Sequence, residues 1–323
     1  RDMRAWDLPE ELHHSVWIGE RTVSHLERLA EAEQPFFLWA SFFDPHPPYI
    51  IPEPWASMYK PEDMEPGAYA EGEYDNMPPH FAKTQEEEPD FSAYREEGGN
   101  ALHGFHSHLH TEEQLRRSMA CYYGMTSLMD REIGRILDAI DRLGLAEDTL
   151  VVFTTDHGHF LGQHGLIAKG PFHYDDLLRI PMCARWTGAI PAGQVTDALQ
   201  SQVDFAPTFL QACGIDVPGE MQGVNQLPVW RGQADTVRDH CIVENRHNPT
   251  TVHLRTYVEE RYKITVYRNA GYGELFDLQE DPNELRNRWD DPEYAGIKAD
   301  LLHRCVQAEI QREPTRMPRI AGA

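Results

Sequence analysis

The sequence feature that most constrains the fold is the alternation of short apolar runs with segments of helical periodicity. The run TLVVFTT at 149–155 is rich in β-branched residues, which favour a buried strand. Ahead of it, apolar residues recur at helical spacing between 115 and 140. This alternation is typical of α/β folds. We therefore predict a mostly parallel central sheet flanked by helices.

Two segments extend this pattern toward the start of the chain. A helix is predicted from Asp7 to about residue 32, because Asp7 can cap it and a proline fits its first turn. The run PFFLWASFF at 35–43 is nearly all apolar, which predicts a fully buried strand of the parallel-sheet type. It ends in DPHPP at 44–48, which suits neither a helix nor a central strand.

Capping residues mark the boundaries of the later elements. Thr111 and Gln114 have the spacing of a capping box, and Gly144 is placed to end the helix that starts there. Residues 180–186 predict a short strand, and residues 203–213 predict a helix that the following glycine stops.

The pattern changes after residue 232. Short strands broken by turns are predicted there, followed by a helix at 293–311. The predicted strands lie at 241–245, 251–260, 262–268 and 273–278. We therefore predict an α/β domain at 1–232 and a smaller C-terminal α+β domain with an antiparallel sheet at 233–323.

One segment lacks periodicity. Residues 60–110 are rich in proline, glycine and acidic residues, which indicates a long loop excursion at the surface, either ordered or disordered. Its last part, HGFHSHLH at 103–110, carries four histidines. Such a group suits a metal site, but a solvated polar loop is the more common outcome.

The net charge narrows the classes of partner. A formal charge of −24 opposes binding to nucleic acid and to anionic membranes. No apolar run approaches the roughly 20 residues that span a membrane. A small anionic substrate stays compatible with this charge, because local cationic groups and a metal ion can override the overall field.

The cysteines bear on the compartment. There are five, widely spaced and without a C-x-x-C pair, which argues against a disulfide framework and favours a reducing, cytoplasmic setting. A periplasmic or secreted location stays open, because the chain begins at Arg1 rather than at methionine and we expect an N-terminal segment to be missing.

Side chains suited to chemistry follow two of the predicted strands. Ligands of open parallel sheets bind beyond the carboxyl ends of the strands. Asp44 and His46 follow the first strand, and Asp156 and His157 follow the second. A carboxylate beside an imidazole suits half of a divalent-cation site, although a turn-capping Asp next to a surface histidine has the same sequence.

Cationic and imidazole groups accompany this pair. Lys169 lies in a glycine-bounded loop where its ammonium can bind an oxyanion, although most loop lysines are simply solvated. His173 can donate a proton or bind the same oxyanion. The prolines around His46 restrict its backbone. Together, a metal and these groups are suited to the chemistry of a tetrahedral oxyanion.

Four segments in order resemble the sulfatase family of the alkaline phosphatase superfamily. They read FFLWASFFDPHPPY, DREIGRILDAIDRLGL, TLVVFTTDHGHFLGQHGLIAKGPFHYDDLLRIPM and ELFDLQEDPNELRN, and the resemblance covers almost the whole chain. It implies an alkaline-phosphatase-like fold and metal-dependent hydrolysis of a sulfate ester of a small molecule or a carbohydrate.

The resemblance also implies roles for single residues. It implies that Asp156 and His157 are metal ligands, and that Lys169 contacts the sulfate and the leaving-group oxygen. It further implies that His46 binds that region and assists the leaving group, and that His173 lies near the pocket with a less defined catalytic or substrate-binding role. His164, in the G-x-H-G turn at 162–165, is expected to be structural or to support the residues that line the pocket.

One departure from the family pattern is large. Family members use a formylglycine nucleophile, made from the Cys or Ser of a C/S-x-P-x-R motif, and an N-terminal Asp-Asp pair of metal ligands. Neither precedes the matching segments of this chain. We therefore expect the chain to be the later part of a sulfatase, incomplete at the N-terminus, and to have negligible hydrolase activity alone.

Two alternatives stay open. A phosphonate monoester or phosphodiester hydrolase of the same superfamily would use the same Asp156, His157 and Lys169. Ca²⁺ is the expected metal of a sulfatase, and Mn²⁺ is the expected metal of the phosphonate or phosphodiester hydrolase. An imidazole ligand mildly favours the hydrolase with Mn²⁺, because imidazole suits transition metals. A non-catalytic fragment or a binding protein that kept the pocket is the second alternative. The sequence leaves the substrate and the oligomeric state undetermined.

Overall fold

The computed structural model describes residues 3–32, 34–94, 107–246 and 251–312. Its α-helices are α1 His14–Ala32, α2 Pro79–Lys83, α3 Glu112–Arg142, α4 Asp175–Leu178, α5 Phe205–Ala212, α6 Leu227–Trp230 and α7 Ala295–Arg312. Its strands are β1 Met3–Ala5, β2 Tyr49–Ile51, β3 Val151–Thr154, β4 Phe160–Leu161, β5 Ile167–Ala168, β6 Met182–Arg185, β7 Cys241–Asn245, β8 Leu254–Val258, β9 Tyr262–Tyr267 and β10 Gly273–Asp277. Short 3-10 helices lie at Glu10–Leu12, Trp55–Ser57, Pro61–Asp63, Glu73–Asn76, Ser92–Tyr94, Ser107–Leu109, Gln163–Gly165, Gln202–Asp204 and Pro292–Tyr294.

The described residues form two compact units that interleave along the chain. Unit 1 holds the residues up to 67 together with 109–151 and 161–163, and unit 2 holds the rest. This division differs from the predicted boundary after residue 232, which stays a prediction. No helix in the described ranges is long and apolar enough to cross a membrane.

Unit 1 is built on the packing of α1 against α3, and the capping box predicted for α3 is confirmed. The Gln114 backbone N–H donates to Thr111 Oγ1 at 3.2 Å, and the Thr111 N–H donates to Gln114 Oε1 at 2.9 Å.

The predicted start of α1 at Asp7 is wrong, because the helix begins at His14 after a 3-10 turn. His13 adopts an extended backbone between these elements and its buried ring bonds to the Ile50 carbonyl, so the helix cannot run through it.

The segment 36–43 is not the fully buried strand that its apolar composition predicts. No strand among the described residues pairs with it, and the side chains of Phe37 and Trp39 are 73% and 72% exposed. Phe36 and Leu38, which alternate with them, pack against the cluster around Leu26 instead. An apolar run becomes a buried strand only where neighbouring strands and helices cover it, and the sequence alone does not tell whether they do.

The C-terminal part of unit 2 is the antiparallel sheet that the sequence predicts. The strand order is β10-β9-β8-β7, with neighbours antiparallel, and Leu254 pairs with Tyr267 in the β8–β9 ladder. Ile264 and Leu275 face a core that Leu301 of α7 completes. This confirms a small antiparallel sheet with a helix in the C-terminal region.

The predicted surface excursion at 60–110 is mostly exposed or partly buried in its described part, but a few of its residues are buried in the core. Phe81 of α2 is fully buried and contacts the rings of Phe172 and Tyr174. Irregularly spaced aromatic residues can join a core without giving a periodic pattern, which is why the sequence does not reveal them. Of the four clustered histidines, His103 and His106 lie outside the described residues.

Strands β3 and β6 are neighbours, as expected for parts of the central sheet, although their residues are only partly buried. β3 ends at Thr154, so the segment that follows it leaves the sheet at Thr155. This places Asp156 and His157 at the carboxyl end of the strand, as the sequence predicts.

Candidate active site

Asp156 and His157 form a tight turn directly after β3. The Asp156 carboxylate accepts hydrogen bonds from the His157 backbone N–H at 2.9 Å and from Thr155 Oγ1 at 3.3 Å. Its other oxygen lies 3.3 Å from His157 Nε2, and the Asp156 and His157 side chains are 80% and 32% exposed. The pair therefore presents a carboxylate oxygen and an imidazole nitrogen side by side to solvent.

The contacts of His157 fix its tautomer. Nδ1 lies 2.7 Å from the Gly158 carbonyl oxygen, so Nδ1–H donates there and Nε2 carries the lone pair. The ammonium of Lys169 lies 3.0 Å from Nε2 and donates to that lone pair. Three of the predicted site residues are therefore in direct contact.

Two backbone contacts hold this turn in place. The Gly158 N–H donates to the Leu177 carbonyl at 2.8 Å, and a Cβ at Gly158 would lie 2.0 Å from the Asp176 carbonyl oxygen, so no other residue fits. The side-chain amide of Gln202 donates to the carbonyls of Thr155 at 2.7 Å and of Asp156 at 2.9 Å. The sequence did not identify Gln202 as a functional residue, because the stretch SQVD at 201–204 has the composition of an ordinary helix start.

The pair faces an open cleft of about 1960 Å³ within unit 2. Lys169 and His173 line the same cleft, as do polar and aromatic residues of the segment after β6. A cleft with a few convergent polar groups is the usual form of a small-molecule site.

His173 is buried at the base of this region. Its Nδ1 lies 2.7 Å from Thr256 Oγ1, which in turn lies 2.8 Å from Thr265 Oγ1. Burial, together with the charge of Lys263, lowers the pKa of His173 to about 3. The ring is therefore neutral at neutral pH, which favours positioning over proton donation, and its catalytic or substrate-binding role stays a prediction.

His164 lies in a closed network, which fits its expected structural role. Its Nδ1 lies 2.6 Å from Glu73 Oε1, its Nε2 lies 3.3 Å from Asp176 Oδ2, and its ring stacks on Tyr174 at 3.4 Å. Burial lowers the pKa of His164, but the hydrogen bonds and charges of the two carboxylates outweigh it, so the pKa lies above its ordinary value. Sequence reasoning missed Glu73, which lies in the aperiodic excursion.

His46 lies in unit 1, in the turn between residues 44 and 48. Its backbone N–H donates to the Phe43 carbonyl at 3.1 Å, and its Nδ1 lies 2.7 Å from the Pro47 carbonyl oxygen. Nδ1–H is therefore the donor, which leaves Nε2 as the nitrogen with a lone pair.

The donor set at β3 fits a divalent cation. The Asp156 oxygen and His157 Nε2 are 3.3 Å apart, a spacing that two neighbouring ligands of one ion can adopt. The hydrogen bond from Nδ1 to a backbone carbonyl is the usual outer contact of a metal-binding histidine. A cation bound at Nε2 competes with Lys169 for the same lone pair.

Comparisons with known proteins identify the family to which the chain is similar. The chain matches the family model for sulfatases over residues 18–215 and that for the C-terminal region of N-sulphoglucosamine sulphohydrolase over residues 162–311. It is 29% identical to an arylsulfatase of Clostridium perfringens over 311 residues, 95% of this chain and 60% of the relative.

Two further relatives extend the comparison. An N-acetylglucosamine-6-O-sulfatase of Bacteroides thetaiotaomicron is 30% identical over 205 residues, 61% of this chain and 37% of the relative. The crystal structure of a phosphonate monoester hydrolase of Agrobacterium radiobacter superposes with a TM-score of 0.77 at 26% identity, covering 95% of this chain and 62% of that one.

The coverage shows how much of these proteins the chain represents. It spans about 60% of the length of the arylsulfatase and of the phosphonate hydrolase. The fold is alkaline-phosphatase-like, as the structural match shows. Since the sulfatase model covers more than half of the chain, the chain belongs to the sulfatase family of the alkaline phosphatase superfamily.

Proposed function

We propose that the protein to which this chain belongs hydrolyses sulfate esters. The observation that carries the proposal is the contact of Asp156, His157 and Lys169 at the end of β3, in a member of the sulfatase family. A carboxylate oxygen, an imidazole lone pair and an ammonium meet there at one open cleft. These are the groups that a metal-bound oxyanion requires.

In this proposal Asp156 and His157 hold a divalent metal ion, which members of the superfamily use. The metal, when bound, supplies Lewis-acid stabilisation of sulfate oxygens. Lys169 binds a sulfate or leaving-group oxygen through its ammonium. His46 assists the leaving group when its ring is protonated: Nδ1–H stays bonded to Pro47, and the proton on Nε2 passes to the leaving oxygen, which leaves the neutral Nδ1–H tautomer.

We propose that the nucleophile is a formylglycine in a segment outside this chain. The chain holds no C/S-x-P-x-R motif and spans about 60% of the arylsulfatase. The chain alone is then expected to show negligible turnover of sulfate esters. Measurable turnover by the purified chain would overturn this part of the proposal.

The metal and the substrate class are also proposals. Ca²⁺ is our first choice for a sulfatase, and Mn²⁺ for the phosphonate alternative. A small-molecule or carbohydrate sulfate ester fits a cleft of about 1960 Å³. The relatives named as an arylsulfatase and an N-acetylglucosamine-6-O-sulfatase support both substrate types.

Hydrolysis of phosphonate monoesters is the second candidate function. It is favoured by the imidazole of His157, which suits transition metals better than Ca²⁺. The 26% identity to a phosphonate monoester hydrolase over 95% of this chain supports the same candidate.

The test uses the full-length protein of the parent gene. Turnover of 4-nitrophenyl sulfate is compared with that of 4-nitrophenyl phenylphosphonate, each with Ca²⁺ and with Mn²⁺. Lys169→Ala should lower kcat/KM by about 100-fold or more, since it removes a charge that contacts the reacting group. Lys83→Ala is the control, because Lys83 pairs with Glu86 at the surface.

The outcomes separate the candidates. Faster turnover of the sulfate supports the sulfatase proposal, and faster turnover of the phosphonate with Mn²⁺ selects the second candidate. Unchanged kcat/KM in Lys169→Ala for both substrates would contradict both, because each depends on that ammonium.

A further inference from the structure

A second group of ligand-type side chains lies in unit 1, outside the site at β3. Atoms of His13, His14 and Asp44 lie within 4.8 Å of one another. His13 and Asp44 are buried, whereas the His14 side chain is partly exposed. Asp44 is the first residue of the DPHPP turn, 44–48, which we call the His46 turn.

Each carboxylate oxygen of Asp44 has a hydrogen-bond partner among the first residues of α1. His14 Nε2 lies 2.7 Å from Asp44 Oδ1, and Ser15 Oγ donates to Asp44 Oδ2. Asp44 therefore joins the His46 turn to the N-terminal end of the helix. A buried carboxylate without such donors would be costly, so these contacts fix its position.

His13 holds the other side of the turn. Its Nε2 lies 3.1 Å from the carbonyl oxygen of Ile50, and the backbone N–H of Ser15 lies 3.4 Å from its Nδ1. Burial is the main cause that lowers the pKa of His13. Because its Nδ1 accepts from the Ser15 N–H, Nε2–H is the donor to Ile50. Three consecutive residues, 13–15, thus bind the first residue of the His46 turn and the chain just after the turn.

Ring contacts connect this cluster to His46 itself. The ring of Phe43 lies edge-on to His14 at 5.6 Å and contacts the ring of His46 at 5.0 Å. The His46 N–H donates to the Phe43 carbonyl, and its Nδ1 bonds to Pro47. Movement of the turn relative to α1 would break the contact between His14 and Phe43, and Phe43 is the residue that contacts both the ring and the backbone N–H of His46.

We propose that His13, His14 and Ser15 are positioning residues that hold the His46 turn and so select the Nδ1–H tautomer of His46. The inference rests on the proposed function, in which Nε2 of His46 faces the leaving group. Each member of the cluster already has a hydrogen-bond partner within the protein. Their contacts with the His46 turn and with Ile50 assign the cluster the role of a clamp.

The test is nitrogen-15 NMR of the histidine rings in this chain, at a pH where His46 is neutral. In the unmodified chain, His46 should be mostly Nδ1–H, whereas free histidine prefers Nε2–H. His14→Ala and Ser15→Ala should each lower the Nδ1–H fraction of His46 by roughly twofold, because the turn loosens. His14→Gln, which keeps an N–H near Nε2, should restore most of it.

The control is His25→Ala on the same helix, because His25 contacts the exposed Arg28 and should leave His46 unchanged. Circular dichroism verifies that each variant is folded. An unchanged His46 tautomer in folded His14→Ala and Ser15→Ala would overturn the clamp. So would stoichiometric Zn²⁺ binding that His14→Ala abolishes and Asp156→Asn retains, because the cluster would then be a metal site.

These results are separable from the fate of the proposed function. The readout is the ring of His46 in the chain itself, so it does not depend on turnover. An inactive full-length protein would contradict the hydrolase proposal and leave the clamp standing. An unchanged tautomer would remove the clamp and leave the hydrolase proposal standing.

Discussion

His157 and His164 lie in the same stretch of the chain but in opposite surroundings. His157 is partly exposed, and its Nε2 lone pair faces an ammonium and a carboxylate at an open cleft. His164 is 2% exposed, and carboxylates bind both of its ring nitrogens. Acidic neighbours are common to both. What differs is that Nε2 of His157 lies at an open cleft beside a cation that a metal ion can displace, whereas both nitrogens of His164 are buried against carboxylates.

The most direct test of this difference is to replace each of the two histidines with alanine. His164→Ala should lower the free energy of unfolding by about 3 kcal/mol, because it leaves the buried carboxylate of Glu73 without its cationic partner. His157→Ala should change it by less than about 0.5 kcal/mol, as for most surface substitutions. Urea unfolding at pH 6.5 measures both. Equal losses in the two variants would contradict the distinction.

The free energy of unfolding should depend on pH because the network around His164 holds a proton on that ring. The pKa of His164 is raised above 6.5, so the folded state binds this proton more tightly than the unfolded state. Its stabilisation is complete below about pH 6.5 and is lost as the pH rises through the folded-state pKa, with a slope of at most about 1.4 kcal/mol per pH unit for one proton.

The measurement compares unfolding free energies of the unmodified chain and His164→Gln between pH 6 and pH 9. The difference between them should shrink as the pH rises. A difference that grows with pH would mean that the two carboxylates do not hold His164 in its charged form.

At the open site, the backbone contacts made by Gln202 can be tested through metal binding. Gln202→Ala frees the carbonyls of Thr155 and Asp156 and should weaken Mn²⁺ binding by about fivefold, less than the loss of a side-chain contact to a ligand. Electron paramagnetic resonance of Mn²⁺ measures this. Gln211→Ala is the matched control, since Gln211 bonds to Ile215 beyond α5. Equal affinities in both variants would refute a positioning role.

The smallest expected effect has the opposite sign. Lys169→Ala should strengthen Mn²⁺ binding by about threefold, because it removes a positive charge from beside the His157 lone pair. The same substitution is expected to abolish most turnover in the full-length protein. Weaker Mn²⁺ binding in Lys169→Ala would show that Lys169 supports the metal site rather than competing with it.

The sequence allowed the open site to be predicted far better than the closed one. Asp156 and His157 are adjacent and follow a recognisable strand, so the rule that sites lie at strand ends locates them. Glu73 lies 91 residues from His164 in an aperiodic stretch, and such a pairing has no local signal. Gln202 acts on backbone carbonyls 46 and 47 residues away, again without a pattern.

The elements of the fold also differ in how far they can be predicted from neighbouring residues. Thr111 and Gln114 predicted the start of α3 because a capping box is a local interaction. The buried strand predicted at 35–43 was wrong, because the burial of an apolar run depends on which other elements cover it. Local chemistry can be read from neighbouring residues, whereas coverage depends on distant ones.

The uncovered segment 36–43 has a practical consequence for work with this chain. Phe37, Trp39 and Phe43 expose large apolar rings in a run with no charged residue. Such runs promote contact between copies and, eventually, aggregation. Light scattering should therefore rise with protein concentration, and replacing Phe37 and Trp39 with lysine should suppress that rise without loss of helix content. Solubility of the chain then depends on Phe37 and Trp39, which lie far in sequence from the residues that line the cleft.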